Sequence, residues 1–147
     1  MLQMLQLVAA FCATLFAGAA VYISVVEHPA RMALDTRAAA RQWAPSYKRA
    51  TWIQAPLALL SLLCGAAASL MGGGAAWLVA ALLIGVVVPF TLIVVTPTNH
   101  KLLAPGRDLD SAETRTLLTR WGKLHAVRSA LSILAAALYL WLLRVAS

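Results

Sequence analysis

The amino-acid sequence predicts an all-α, polytopic membrane protein, a bundle of four transmembrane helices that forms one domain over residues 1–147. Two observations lead to this prediction. Of the 147 residues, 62% are hydrophobic and only 12% are charged, whereas about a quarter of the residues of a soluble domain are charged. The apolar residues also come in long unbroken runs, which is typical of membrane helices.

Four apolar runs define the predicted spans, at residues 4–26, 53–71, 75–96 and 124–144. Each contains roughly 20 residues, enough to cross a hydrocarbon core of about 30 Å. In lipid such segments must be helical, because every backbone polar group needs a partner inside the segment. We expect the first run to be a retained helix rather than a cleaved signal, because no Lys or Arg precedes it.

The distribution of charge predicts the orientation in the membrane. Residues 27–50 carry five basic and two acidic side chains, and residues 97–123 carry five basic and three acidic ones. With four spans, both basic connections lie on one side, and the glycines at 72–74 and both termini lie on the other. The positive-inside rule makes the basic side cytoplasmic, in a plasma or inner membrane. This placement explains the net charge of +7 without a nucleic-acid partner.

The connection between the first two spans is predicted to contain a short helix. Residues 30–43 are rich in alanine, and Arg37 and Arg41 lie one turn apart. Such a segment suits a helix that lies in the membrane interface. We expect Pro45 to end it.

Two further features concern the third and fourth helices. Asp110, followed three residues later by Glu113, resembles a capping box. We therefore expect the fourth helix to start there and to extend beyond the membrane. Pro89 is expected to kink the third helix, because proline removes a backbone hydrogen bond.

Polar residues gather at the basic ends of the predicted spans. The chain has three histidines, His28, His100 and His125, and each lies at such an end. On the fourth helix, residues 121, 125, 128 and 132 share one face, and that polar stripe should turn into the bundle. Buried ionisable groups in a membrane cost about 3 kcal/mol or more at its centre and mark functional sites by default.

This convergence predicts a candidate site. The candidates for catalysis are His28, Asn99, His100, His125 and Arg128, and those for substrate binding are Tyr47, Trp52, Gln54 and Trp121. Glu27 is predicted to form a structural ion pair with Arg128 or with another cation. An alternative to a role in the site is that Trp43 and Trp52 belong to an aromatic belt at the membrane interface.

Four stretches resemble one known family. "VEHPARM", "WAPSYKRATWIQ", "PFTLIVVTPTNHKLL" and "RWGKLHAVRSAL" are similar to the DUF1772, or anthrone-oxygenase-like, membrane family, in order and over nearly the whole chain. The resemblance implies a small four-helix membrane protein. It also implies a monooxygenase-type oxidoreductase that oxidises anthrones with molecular oxygen and no cofactor.

The resemblance also implies roles for the candidate residues. An anthrone is flat and apolar, and its acidic carbon loses a proton to give a stabilised anion. His125 or His28 would be the base, and Arg128 and Asn99 would stabilise the oxyanion. Trp121, Tyr47 and Trp52 would stack on the rings. Asn99 and His100 would close the mouth of the pocket.

Other functions remain open at this stage. A quinone-like or other flat lipophilic substrate fits the same positions. His28, His100, His125 and Glu27 could instead ligate a metal ion. A small non-enzymatic membrane partner protein is a third hypothesis, since small residues such as Ala9 and Ala13 let helices pack closely. Those residues leave oligomer formation undecided.

Overall fold

The protein folds into four long helices, described here from a computed structural model for residues 1–146. Helix α1 spans Leu2–Met32, α2 spans Thr36–Ala68, α3 spans Ala75–Leu102 and α4 spans Ala112–Ala146. Each of the four contains a segment long and apolar enough to cross a membrane. The predicted all-α, four-span fold class is confirmed.

The helices form a closed ring in which α1 and α3 each pack between α2 and α4. The core of the bundle is built mainly from alanine, with Phe16, Trp77 and Tyr139 as its largest members. Small side chains let the helix backbones approach closely. The hydroxyl of Tyr139 donates a hydrogen bond to the carbonyl of Ser61 at 3.2 Å, which ties α4 to α2.

The outer surface of the bundle is apolar. Leu70 is 89% exposed, Ile93 is 73% exposed and Phe11 is 65% exposed. A protein in water would bury such side chains, whereas the hydrocarbon of a bilayer solvates them. The chain is therefore an integral membrane protein.

The connection between α1 and α2 is shorter than expected, since only residues 33–35 lie between the two helices. The predicted separate interfacial helix is wrong, because its second half is the first turns of α2. The Asp35 side chain caps α2 by accepting a hydrogen bond from the Ala38 N–H at 2.8 Å. Pro45 does not end the helix. The carbonyl that it leaves unpaired belongs to Arg41, an exposed residue, so water can reach it.

The start of α4 also differs in detail. Ser111, not Asp110, caps the helix, and its hydroxyl accepts a hydrogen bond from the Thr114 N–H at 3.2 Å. Asp110 instead accepts a hydrogen bond from Arg37 Nε at 2.8 Å, which ties residues 103–111 to the start of α2. Helix α4 has 35 residues, about 50 Å at 1.5 Å per residue, so it is longer than the hydrocarbon core of a bilayer is thick.

Both α1 and α3 depart from regular α-helix near the connections 33–35 and 103–111. Ile23–Glu27 and Thr91–Val95 are π-helical turns. Each precedes a proline, Pro29 or Pro97, that has no N–H to continue the normal pattern. The regular α-helix of α3 is also interrupted after Gly85, four residues before Pro89. Pro89 was expected to disturb the helix at this place. Such π turns occur frequently at functional sites.

Candidate active site

A cavity lies inside the bundle, from the middle of the helices toward the end that carries the connections 33–35 and 103–111. Its volume is about 170 Å³, and side chains from all four helices line it. Those that bear polar or aromatic groups are Phe16, Tyr47, Thr51, Gln54, Thr91, Thr96 and Arg128. The remainder of the wall is aliphatic. An apolar cavity with a few convergent polar groups is the usual form of a small-molecule site.

A narrow inner chamber continues this cavity toward α1 and α4. The chamber has a volume of about 10 Å³ and shares Tyr47, Thr51, Gln54 and Arg128 with the cavity. Its inner wall contains Trp121 and His125. The cavity thus adjoins a chamber whose wall includes the buried imidazole of His125.

Arg128 is the polar centre of the cavity. It is only 8% exposed, and its Nη2 donates a hydrogen bond to Gln54 Oε1 at 2.9 Å. The guanidinium also lies 5.7 Å from the centroid of the Phe16 ring, at cation–π distance. Within residues 1–146, Arg128 Nε and Gln54 Nε2 have no hydrogen-bond partner. Buried donors are normally paired, so these two atoms indicate a site for an acceptor ligand.

His125 is almost fully buried, at 1% exposure. Its Nδ1 lies 3.1 Å from the Ser24 hydroxyl, which in turn lies 2.8 Å from the Ser129 hydroxyl. The imidazole packs on Trp121 with the ring centroids 4.9 Å apart. Contacts with α1 and with its own helix thus hold the ring in place.

His28 lies on another side of Trp121, with the ring centroids 5.4 Å apart. Its Nδ1 is 3.3 Å from Arg31 Nη1. A guanidinium can only donate, so His28 Nδ1 is the acceptor. The ring also packs against the backbone of α4, because a Cβ added at Gly122 would come within 2.3 Å of His28 Nε2.

Arg31 anchors this side of the site and is only 2% exposed. Its Nη2 lies 2.5 Å from Glu27 Oε1, and it also donates hydrogen bonds to Gln42 and Ser46. The guanidinium lies 5.8 Å from the centroid of the Trp121 ring. The predicted ion pair of Glu27 therefore exists, and its cation is Arg31.

Comparison with known proteins places the chain in a family. Residues 43–138 match the family described as anthrone oxygenase. The chain belongs to the anthrone oxygenase family. A relative from Aspergillus fumigatus, named anthrone oxygenase tpcL, is 39% identical over 70 residues. That stretch covers 46% of this chain and 44% of the relative's length, less than half of each. No solved structure matches the chain.

Residues 43–138, the segment that matches the anthrone oxygenase family, contain most of the site. Five predicted residues line the cavity or the chamber. They are Tyr47, Gln54, Trp121, His125 and Arg128. His28 is near them but separated from His125 by Trp121.

Three predicted residues do not join this group. His100 is exposed at the end of α3, so the expected meeting of three histidines is wrong. Trp52 is 82% exposed because it lies two residues, or about 200° of helical rotation, from inward-facing Gln54. Asn99 is buried but does not line the cavity, and it has no hydrogen-bond partner within residues 1–146.

The alternative metal site is not assembled. No group of three or more His, Cys, Asp or Glu side chains in residues 1–146 is arranged to hold a metal ion. Of the proposed ligands, His100 is exposed and Glu27 is occupied by Arg31 and Ser46. The predicted ligand set of His28, His100, His125 and Glu27 does not converge.

Sequence reasoning missed several residues of the site. Arg31 could have been found from its spacing of four residues from Glu27, which suits an ion pair on a helix. Ser129, four residues after His125, carried a similar signal. Nothing in the sequence distinguished Ser24, Thr91 or Thr96, because π turns and cross-helix packing orient them.

Proposed function

We propose that this protein is a membrane oxygenase that oxidises a flat, lipophilic aromatic substrate of the anthrone type with molecular oxygen. The proposal rests on the family and on one feature of the cavity. A buried imidazole and the unpaired donors of Arg128 and Gln54 lie at its inner end. An acceptor for a proton next to donors for an oxyanion is what such a substrate requires.

The proposed reaction balances without a resident cofactor. A base removes one proton from the methylene carbon opposite the carbonyl, and the resulting anion is stabilised as a phenolate. The anion transfers electrons to oxygen, a carbon–oxygen bond forms, and protonation gives a hydroperoxide. Loss of the second hydrogen and cleavage of the oxygen–oxygen bond release water and leave a carbonyl. Both atoms of oxygen are thereby accounted for, one in the product and one in water.

In this proposal His125 is the base. The lone pair of His28 Nδ1 already accepts from Arg31, whereas His125 lines the chamber. Arg128 and Gln54 donate hydrogen bonds to the phenolate oxygen through their unpaired N–H groups. Tyr47 and Trp121 form the aromatic part of the wall.

The test is oxygen consumption with an anthrone by the purified protein in lipid vesicles. We expect His125→Ala and Arg128→Ala each to lower kcat/KM by at least about 100-fold, because general bases and oxyanion donors contribute factors of that order. Wild-type rates in both variants, with the protein correctly inserted, would remove the two residues from the mechanism.

The chain offers matched controls for both variants. His100 is an exposed histidine at the same end of the bundle, and Arg120 is an exposed arginine on the same helix as Arg128. His100→Ala and Arg120→Ala should retain nearly full activity. A similar loss in the controls would show that any histidine or arginine at this end affects the assay.

The proposed orientation places the site near the cytoplasmic face of a plasma or inner membrane, because the basic connections lie at that end. Single cysteines at Ala104 and Met71, introduced after replacing Cys12 and Cys64, lie at opposite ends of the bundle. With intact cells, an impermeant maleimide should label Met71→Cys and spare Ala104→Cys. The reverse pattern would invert the orientation.

A further inference from the structure

We infer that Ser24 and Ser129 hold the ring proton of His125 on Nδ1 and so leave Nε2 as the nitrogen that exchanges protons with a ligand. The two serines are then positioning residues, which act through His125. The catalytic meaning of this inference rests on the proposed function. The protonation pattern itself follows from hydrogen bonds and can be measured without any substrate.

The Ser129 hydroxyl has one proton and several acceptors nearby. Its Oγ lies 3.0 Å from the Ala20 carbonyl and 3.3 Å from the carbonyl of His125. A carbonyl oxygen only accepts, so Ser129 donates its single proton to the backbone. It then has only lone pairs for the Ser24 hydroxyl, 2.8 Å away.

Ser24 must therefore be the donor in the pair of hydroxyl groups. Its one proton points to Ser129, which leaves the lone pairs of Ser24 Oγ for His125 Nδ1 at 3.1 Å. Two atoms that both offer lone pairs repel each other, so Nδ1 must carry a hydrogen. Three hydrogen bonds in series, from imidazole to Ser24 to Ser129 to the α1 backbone, all run in one direction.

This direction determines which nitrogen is basic. In the neutral ring one nitrogen carries hydrogen and the other a lone pair, so a hydrogen on Nδ1 leaves the lone pair on Nε2. In the charged ring Nδ1 still donates to Ser24. Only Nε2 changes its protonation, and His125 lines the chamber beside Arg128. The chain thus holds the base in its active tautomer before substrate arrives.

His28 provides an internal contrast. Its Nδ1 accepts from Arg31, so in its neutral form the hydrogen lies on Nε2. The two histidines that flank Trp121 are therefore expected to be opposite tautomers. A spectrum that reports the tautomer of each ring separates them in a single sample.

The experiment is nitrogen NMR of protein labelled with ¹⁵N-histidine in lipid, without substrate. The His125 signals are assigned as those absent from His125→Gln. We expect a proton-bearing Nδ1 and an unprotonated Nε2 for His125 in the wild-type protein. In Ser129→Ala the Ser24 hydroxyl loses its acceptor and can donate to Nδ1, so a large fraction of the ring should shift its proton to Nε2. Ser129→Thr, which retains a hydroxyl, should restore the wild-type pattern.

Ser132 supplies the matched control. It is a fully buried serine on the same helix, and its hydroxyl donates to the Ser129 carbonyl at 2.9 Å. Ser132→Ala removes the same group at similar depth and leaves both side-chain hydroxyls of the Ser24 and Ser129 pair in place, although the Ser129 carbonyl loses one donor. The His125 signals should stay unchanged. Folding of every variant is checked by the His28 signals, which should keep the opposite tautomer.

A wild-type His125 with its proton on Nε2, or an unchanged tautomer in Ser129→Ala, would overturn the inference. The activity assay tests the proposed function separately from the tautomer. If the tautomers behave as expected and His125→Ala keeps full oxygenase activity, the proposed function fails while the inference stands. If both hold, kcat of Ser129→Ala should fall about in proportion to its remaining active tautomer, with KM nearly unchanged.

Discussion

The two buried arginines differ in how their charge is compensated. Arg31 pairs with the carboxylate of Glu27 and has further polar partners. Arg128 has the neutral amide of Gln54 as its hydrogen-bond partner and the face of Phe16 beside it. A buried charge without an opposite charge destabilises the folded state. Arg128 is therefore better explained by a ligand that it binds than by the stability of the bundle.

Replacing each arginine with methionine should separate these roles. Arg31→Met leaves the Glu27 carboxylate without its cation and should lower the free energy of unfolding by about 3 kcal/mol. Arg128→Met should leave stability unchanged or increase it while abolishing the proposed oxygenase activity. Thermal unfolding of both variants in the same detergent makes the comparison. Equal losses of stability would mean that Arg128 is structural.

Close packing between helices is the main feature at the scale of the element. Gly122 on α4 accommodates the His28 ring, and Gly65 on α2 accommodates Tyr139. A Cβ added at Gly122 would come within 2.3 Å of His28 Nε2, and one added at Gly65 would overlap the Tyr139 hydroxyl oxygen. The glycines let the helices approach until aromatic and imidazole rings interlock, and this contact holds His28 against Trp121.

Gly122→Ala should therefore separate α1 from α4. We expect a loss of about 1–3 kcal/mol in the free energy of unfolding, the usual cost of overpacking. Gly18→Ala is the control, because no atom of residues 1–146 outside the adjoining turns of its own helix lies within 4 Å of the added Cβ. That change should stabilise the protein by at most about 1 kcal/mol through helix propensity. Equal effects would contradict the packing role.

The contact between residues 103–111 and α2 should depend on pH. The hydrogen bond and the charge of Arg37 hold the pKa of Asp110 below its usual value. A lowered pKa means that the contact stabilises the protein above the unfolded-state pKa of about 4. The contribution is lost as pH falls through the folded-state pKa. Amide exchange in residues 103–111 should speed up from pH 6 to pH 3, after correction for the intrinsic rate, and Arg37→Ala should abolish that difference.

At the scale of the whole molecule, the cavity lies beside the lipid-facing surface. Thr51 and Ala55 line it and also line an outer groove on α2 with Trp52, Pro56 and Leu59. The groove is almost wholly apolar, as suits contact with acyl chains. We therefore expect a lipophilic substrate to reach the cavity from the bilayer through this groove.

Ala55→Trp should obstruct this route. We expect kcat/KM for a lipophilic anthrone to fall at least about 10-fold, because a bulky ring would fill space that the substrate must cross. Leu63→Trp places the same ring on the exposed face of α2 about two turns away. It should leave the rate unchanged. Equal rates in the two variants would indicate a different entrance.

Much of this architecture was predictable from the sequence. Four long apolar runs and clustered basic residues suffice for the helix count and for the placement of polar groups at one end. The stripe of Trp121, His125 and Arg128 was predictable because helical periodicity places these residues on one face. The exposure of Trp52 also follows from its angular distance from Gln54, although its aromatic character suggested a role in binding.

What the sequence determined by itself is the set of helices and the candidate face of α4, because hydrophobicity and periodicity act locally along the chain. The tertiary structure decided which polar groups meet. It paired Glu27 with Arg31, left His100 exposed and connected His125 through Ser24 to Ser129. These outcomes depend on helix rotation, on π turns and on interhelical distance. All three are set by packing between segments far apart in the chain.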